Sequence, residues 1–215
     1  RDMILTLAAA LDVPLRERNR LLLAGGYAPL FHETALAEPV MAPVRAALDR
    51  LLRHHEPYPA VVMDRHWNLL AANASATAMF GFLLAGRPRA EPANVLRLMF
   101  SPHGLRPFVA NFAEVGPGLI QRAHREAVGG TVDEITQALL AEVLGQPGIP
   151  AAWRVPDPSM PLVPVVPVTF ARDATVASYF SMVTTVGTPQ DVTTQEIRVE
   201  CFFPVDGATE EHRWT

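Results

Sequence analysis

The chain has 215 residues, 49% of them apolar, and a formal net charge of −4. That is enough for a sizeable core in one or two domains, without the excess positive charge of a nucleic-acid-binding surface. All 18 basic residues are arginine, which excludes Schiff-base chemistry and the Walker phosphate loop within these residues, because both need a lysine. One cysteine, Cys201, excludes an internal disulfide and a cysteine-built metal site, and suits a reducing cytosol.

No run approaches the roughly 20 apolar residues of a membrane span, and Arg1-Asp2-Met3 does not open a signal peptide. The expectation is a cytoplasmic protein with no membrane partner. A chain that opens at Arg1 is also expected to be part of a longer product.

In chain order, the helical period predicts a helix over residues 3–11, with Met3, Ile4, Leu7, Ala8 and Leu11 on one face. Asp12-Val13-Pro14 breaks it. A second helix is predicted over 15–24, with Arg16, Arg18 and Arg20 outside and residues 21–23 inside, ended by Gly25-Gly26. Residues 27–37 read as linker, and Pro39 or Pro43 starts a helix to about His54. An apolar strand over 60–63, a polar turn and a second strand over 68–72 make a hairpin. Asn73 then caps a helix over 74–80, with Gly81 expected to stop it. Asn94 caps a short helix over 95–100. Helices are predicted over 105–112, 118–128 and 132–144.

From Leu162 the composition turns to Val, Phe, Thr and Tyr. Strands are predicted over 163–171, 177–186 and 197–203. Pro164 and Pro167 sit badly in a central strand, so the first of these is expected to be an edge or bulged at its start. The whole is an α+β chain: a five-stranded antiparallel sheet with helices over one face.

The residues that could carry chemistry are few. Seven histidines are scattered, and His54-His55 are adjacent, so none has metal-ligand spacing and no metal is expected. No serine sits in a Gly-x-Ser-x-Gly elbow, and no catalytic residue is expected. Phe80, Phe82, Met99, Phe100, Phe108 and Phe112 come from three helices that would lie over the sheet. They either fill the core or line an apolar cavity, since ligand sites are apolar concavities with few polar groups. Arg106, beside Phe108 and Asn111, is the candidate to pair with a ligand carboxylate; Arg97 and Arg45 are weaker ones.

The hairpin running into an Asn-capped helix resembles the opening of a PAS sensor domain. Residues 7–29, LAAALDVPLRERNRLLLAGGYAP, look like the end of an XRE-type helix-turn-helix domain. PAVVMDRHWNLLAAN (59–73), NVLRLMF (94–100), LRPFVANF (105–112), PGIPAAWR (147–154) and GTPQDVTTQEIRVECFFPVD (187–206) follow in the order found in the MmyB-like transcription regulators. The chain departs from that pattern in lacking the recognition helix, in Gly26, and in the prolines near residue 164.

The resemblance implies a helix-turn-helix remnant over 1–29, a linker over 30–42 and a PAS-like ligand-binding domain over 43–208, with strand order 2-1-5-4-3. It implies a bacterial transcription regulator that binds DNA through the helix-turn-helix domain, pairs as a homodimer and senses a small apolar ligand such as a fatty acid. No cofactor is implied. The ligand-facing candidates are Asn73, Phe80, Met99, Phe100, Arg106, Phe108, Asn111 and Phe112. Two alternatives stay open at this point: an enzyme acting on a small apolar substrate in the same pocket, and a ligand-free dimerisation module.

Overall fold

The computed structural model describes residues 1–85, 87, 93–128, 133–155 and 165–214. Two helices open the chain, α1 (Asp2–Ala10) and α2 (Leu15–Ala24). Asp12, at φ +49°, and the fixed ring of Pro14 turn the chain between them. Ala8 and Leu22 are buried, whereas Met3, Leu7, Leu11, Leu21 and Leu23 are exposed. Residues 21–23 therefore do not all point inward, because successive helical side chains are about 100° apart.

A 3₁₀ turn, Pro39–Met41, leads into α3 (Ala42–His54), as the prolines predict. The hairpin forms from β1 (Ala60–Met63) and β2 (Leu69–Ala72), and α4 (Ala74–Leu83) follows. Asn73 caps α4, accepting from the Ala76 amide. Gly81 does not stop this helix. It sits in open space with an ordinary φ, and the helix runs on until Leu84.

Helix α5 (Val95–Phe100) starts at its predicted Asn94 cap. The predicted helix over 105–112 is a single 3₁₀ turn, Arg106–Phe108, because Val109 leaves it to bridge Phe170. Helix α6 (Phe112–Val128) begins six residues before the predicted 118, with Pro117 inside it. Pro117 stands in the second turn, where it forgoes the bond to residue 113, and burial of Ile120 and Ala123 in the core holds the helix through it. Gly116 is required here: a Cβ on it would lie 2.3 Å from the Trp153 ring. Asp133 caps α7 (Glu134–Leu144); residue 132, where that helix was expected to begin, lies outside the described residues.

The late strands are β3 (Val168–Arg172), β4 (Thr175–Thr184) and β5 (Arg198–Pro204), and they join the hairpin in one antiparallel sheet of order β2-β1-β5-β4-β3. Strand β3 is an edge, as expected, and it begins just after Pro167. The start of the strand predicted over 163–171 lies partly outside the described residues. Two helices of five residues, α8 (Val192–Glu196) and α9 (Gly207–Glu211), escaped the periodicity because they are too short to show one. Each is set by an aspartate cap, Asp191 and Asp206.

Alternation along the strands separates two cores. On one face, Val61, Met63, Ala177, Tyr179 and Phe170 pack with α4, α5, α6 and α7. On the other, Ala60, Val62, Val199 and Cys201 meet Leu48 and Leu52 of α3. The helices thus gather over one face as expected, and α3 covers part of the second. Cys201 is buried there, and burial pushes its thiol pKa up, which keeps it an unreactive apolar side chain.

Candidate ligand site

The predicted aromatic residues do converge. Phe80, Met99 and Phe100 are buried in the helix-side core, with Phe108 and Phe112 packed against it. Phe100 and Phe112 meet edge to face at 5.3 Å, and Trp153 joins them at 5.6 Å from Phe112. Arg106 donates to the Pro147 carbonyl and lies 5.3 Å over the Phe112 ring. Asn111 ties that turn to the sheet edge, donating to Pro167 O at 2.8 Å and accepting from Thr169 N at 3.0 Å. Asn73 is 5% exposed. Its Oδ1 accepts from the Ala60 and Ala76 amides, and its Nδ2 donates to Tyr58 O.

A second constellation, which the sequence did not suggest, lies on the same sheet face. It starts at the β1–β2 turn. Asp64 accepts from the amides of His66 and Asn68 at 2.8 and 2.9 Å. Asn94 donates to His66 O and Asn68 Oδ1, and the Val95 amide bonds Trp67 O. These bonds hold Trp67 at φ +66°, a left-handed conformation that a bulky residue adopts only when its surroundings impose it.

The Trp67 ring is buried, and the Arg122 guanidinium of α6 lies 4.7 Å over it. Arg122 Nη1 in turn reaches both carboxylate oxygens of Glu200 at 3.1 Å. Glu200 stands on the central strand β5 between Val199 and Cys201, so alternation turns it to the helix-covered face, and it is 7% exposed. Ser181 Oγ donates to Glu200 at 2.5 Å.

The helices cover this face unevenly. Along β4, Ala177 and Tyr179 are fully buried, but Ser181 and Val183 on the same face are exposed, Val183 by 43%. The end of β4 therefore presents an open patch with an ion pair beneath it. A buried charge survives only when it is paired and hydrogen-bonded, and this one is held by Arg122, Ser181 and the Trp67 face together. That arrangement sets a hydroxyl and an ion pair beside the exposed apolar side chain of Val183.

Comparison with family models gives a match to the MmyB-like transcription regulator ligand binding domain over residues 44–214. The chain belongs to that family. No curated protein matches it. The five-stranded antiparallel sheet with its helices is the PAS-like architecture the family resemblance implied.

The MmyB-like domain meets α1 and α2 through a row of alternating charges. Arg16 of α2 reaches Glu196 at 2.7 and 2.9 Å and Glu33 at 2.8 Å. Arg65 of the β1–β2 turn also takes Glu196, at 3.1 Å, and pairs with Asp133, the cap of α7. His66 Nε2 lies 2.9 Å from the same carboxylate. Burial alone would raise the Asp133 pKa, but bonds from His66 and Thr136 and the charge of Arg65 outweigh it and hold it well below the usual range. The hydrogen bond from Arg16 likewise lowers Glu33. Leu15 N adds a bond to Gln195 Oε1 at 2.7 Å.

Two apolar concavities lie elsewhere. One, of about 400 Å³, runs between α3 and the ends of β4 and β5, lined by Val44, Leu48, Leu51, Val186 and Ile197. The other, of about 490 Å³, opens between α6 and α7 beside His124, Leu140 and Arg154. Among the described residues, no group of three or more His, Cys, Asp or Glu could hold a metal ion, and no helix is long and apolar enough to cross a membrane.

The sequence signal for Glu200 is only its place in a strand: alternating with Val199 and Cys201, it shares a face with Arg198 and reads as solvent-facing, which the cover of α6 reverses. For Arg122 and Ser181 there is none, since their relation to Glu200 exists only once the sheet has formed.

Proposed function

We propose that this chain carries the sensing part of a cytoplasmic, DNA-binding transcription regulator that responds to a small apolar ligand of acyl type, a fatty acid or its neutral alcohol or amide counterpart. In this reading it is not an enzyme. Residues 43–208 are the sensor, 30–42 the linker and 1–29 the last helices of a helix-turn-helix domain. The observation that carries the reading is the open patch at the end of β4, on the sheet face that the helix-side core covers, in a chain of the MmyB-like family. Each buried methylene would contribute about 0.8 kcal/mol.

The exposed Met3, Leu7, Leu11, Leu21 and Leu23 support the helix-turn-helix assignment, because they form the face that further helices of such a domain cover. The charge row from Glu33 to Asp133 is the route from sensor to reader, with α3 as its companion. A ligand acts by preferring one of two arrangements of that junction. Pairing as a homodimer matches the two-fold operators such readers bind.

Native mass spectrometry of protein purified from cells, before and after adding decanoic acid, decanol or decanamide, tests the sensor. Retention of a small molecule or a one-to-one adduct is expected. A bare protein mass in every case would overturn the reading and leave the dimerisation module.

A further inference from the structure

We infer that the sensor selects an acyl-type ligand whose polar head is uncharged and can donate a hydrogen bond, an alcohol or a primary amide, and discriminates against the ionised carboxylate. The inference rests on the sensor reading above and names the ligand class of the same site. The head would meet Glu200, Ser181 and Arg122.

Charge sets the selectivity. Arg122 is the cation of the open patch, and it already has an internal counterion. Both oxygens of Glu200 lie 3.1 Å from its Nη1, and the pair is mostly withdrawn from solvent, with side-chain exposures of 18% and 9%. The Trp67 ring covers one face of the guanidinium and Glu200 takes its Nη1, which narrows a ligand's approach to what remains. A carboxylate arriving there must share the cation with Glu200. It would place two like charges together where water screens them poorly, and repulsion is several-fold stronger than in bulk solvent.

An alcohol or primary amide adds no charge. Its O–H or N–H donates to the Glu200 carboxylate, which accepts through several lone pairs, or to the Ser181 hydroxyl oxygen, whose own proton is given to Glu200, and its oxygen accepts from the guanidinium edge. Ser181 is placed for this, exposed at the patch while already within hydrogen-bond distance of Glu200. A bare alkane would strand these polar groups without water or partner. The other arginine near the aromatic cluster, Arg106, is turned to the Pro147 carbonyl and the Phe112 ring.

Equilibrium dialysis of the whole chain at pH 8, against decanol, decanamide and decanoate, tests this with matched tails. The wild type is expected to bind the two neutral probes at least tenfold more tightly than decanoate. Glu200→Gln keeps the shape and the hydrogen bonds but leaves Arg122 without its counterion, so the preference should narrow tenfold or reverse. Ser181→Ala, at an exposed strand position, serves as an independent variant should Glu200→Gln fail to fold. It should weaken decanol and decanamide several-fold and leave decanoate nearly unchanged. Equal binding of all three probes by the wild type, or an unaltered preference in Glu200→Gln or Ser181→Ala, overturns the head selectivity while the sensor reading stands. Binding of none of them overturns the sensor reading and this inference with it.

Discussion

Asn73 was expected to be a helix cap with a second role at the ligand. As a cap alone its loss would cost about 1 kcal/mol. The side chain does more than cap: besides the Ala76 amide it satisfies the amide of Ala60 at the start of β1 and the carbonyl of Tyr58. Each such group left buried and unpaired costs a further 1 to 3 kcal/mol or so. Asn73→Ala is therefore expected to lower stability by about 3 kcal/mol or more in denaturant titration, with ligand affinity unchanged in the fraction that remains folded. A loss near 1 kcal/mol together with weakened binding would restore Asn73 to the ligand-facing set. Trp67 makes the same point in the backbone. Its left-handed φ is imposed by Asp64 and Asn94, residues that touch no candidate ligand group themselves.

At the scale of elements, α7 is the helix whose start is tied to the rest by charge. Asp133 caps it and faces Arg65 and His66. Its carboxyl is held below the ordinary value in the folded state, so the stability it contributes is fully present above the unfolded pKa of about 3.9. That stability is lost as pH falls from there toward the depressed folded value. Thermal unfolding followed from pH 5 down to about pH 2.5 should show a falling midpoint through this window. In Asp133→Asn the cap survives, because asparagine caps as well as aspartate, but the titration is gone, so the slope should flatten. An identical slope in both proteins would assign the acid sensitivity to other carboxylates, Glu33 among them.

For the whole molecule, the question is how α1 and α2 hold to the sensor. Their apolar residues are largely exposed, and the bonds that cross the junction are polar: Arg16 to Glu196 and Leu15 to Gln195. Such contacts weaken with salt. Glu196→Gln removes one charge shared by Arg16 and Arg65. Hydrogen exchange should then quicken over residues 15–24, while the amides of β1 and β5 stay protected. Added salt should reproduce the pattern in the wild type. Quickening spread evenly over the sheet would mean that the charge row supports the sensor core and not the junction.

The sequence by itself determined what is local. Alternating apolar runs fixed five strands, asparagine caps fixed the starts of α4 and α5, and paired prolines marked β3 as an edge or a bulged strand. These are legible because a strand's period and a cap's geometry are set within a few neighbouring residues. Gly81 was misread as a stop, and α6, predicted to start at 118, runs back through Pro117. Either residue only biases a helix, and packing of Met79, Phe80 and Leu83 beneath one, or Ile120 and Ala123 beneath the other, overrides that bias.

The aromatic residues of the candidate site could be named but not placed, since helical periodicity says which face is buried and not against what. Only the tertiary structure decided that Arg106 turns to Pro147, that Arg122 lies over Trp67, and that Glu200 on β5 is neutralised by a residue 78 positions earlier. A charge that alternates with apolar strand residues reads as solvent-facing until a helix covers it. Which partner it has depends on strand order and on the angle at which α6 crosses the sheet, and no local pattern of residues encodes either.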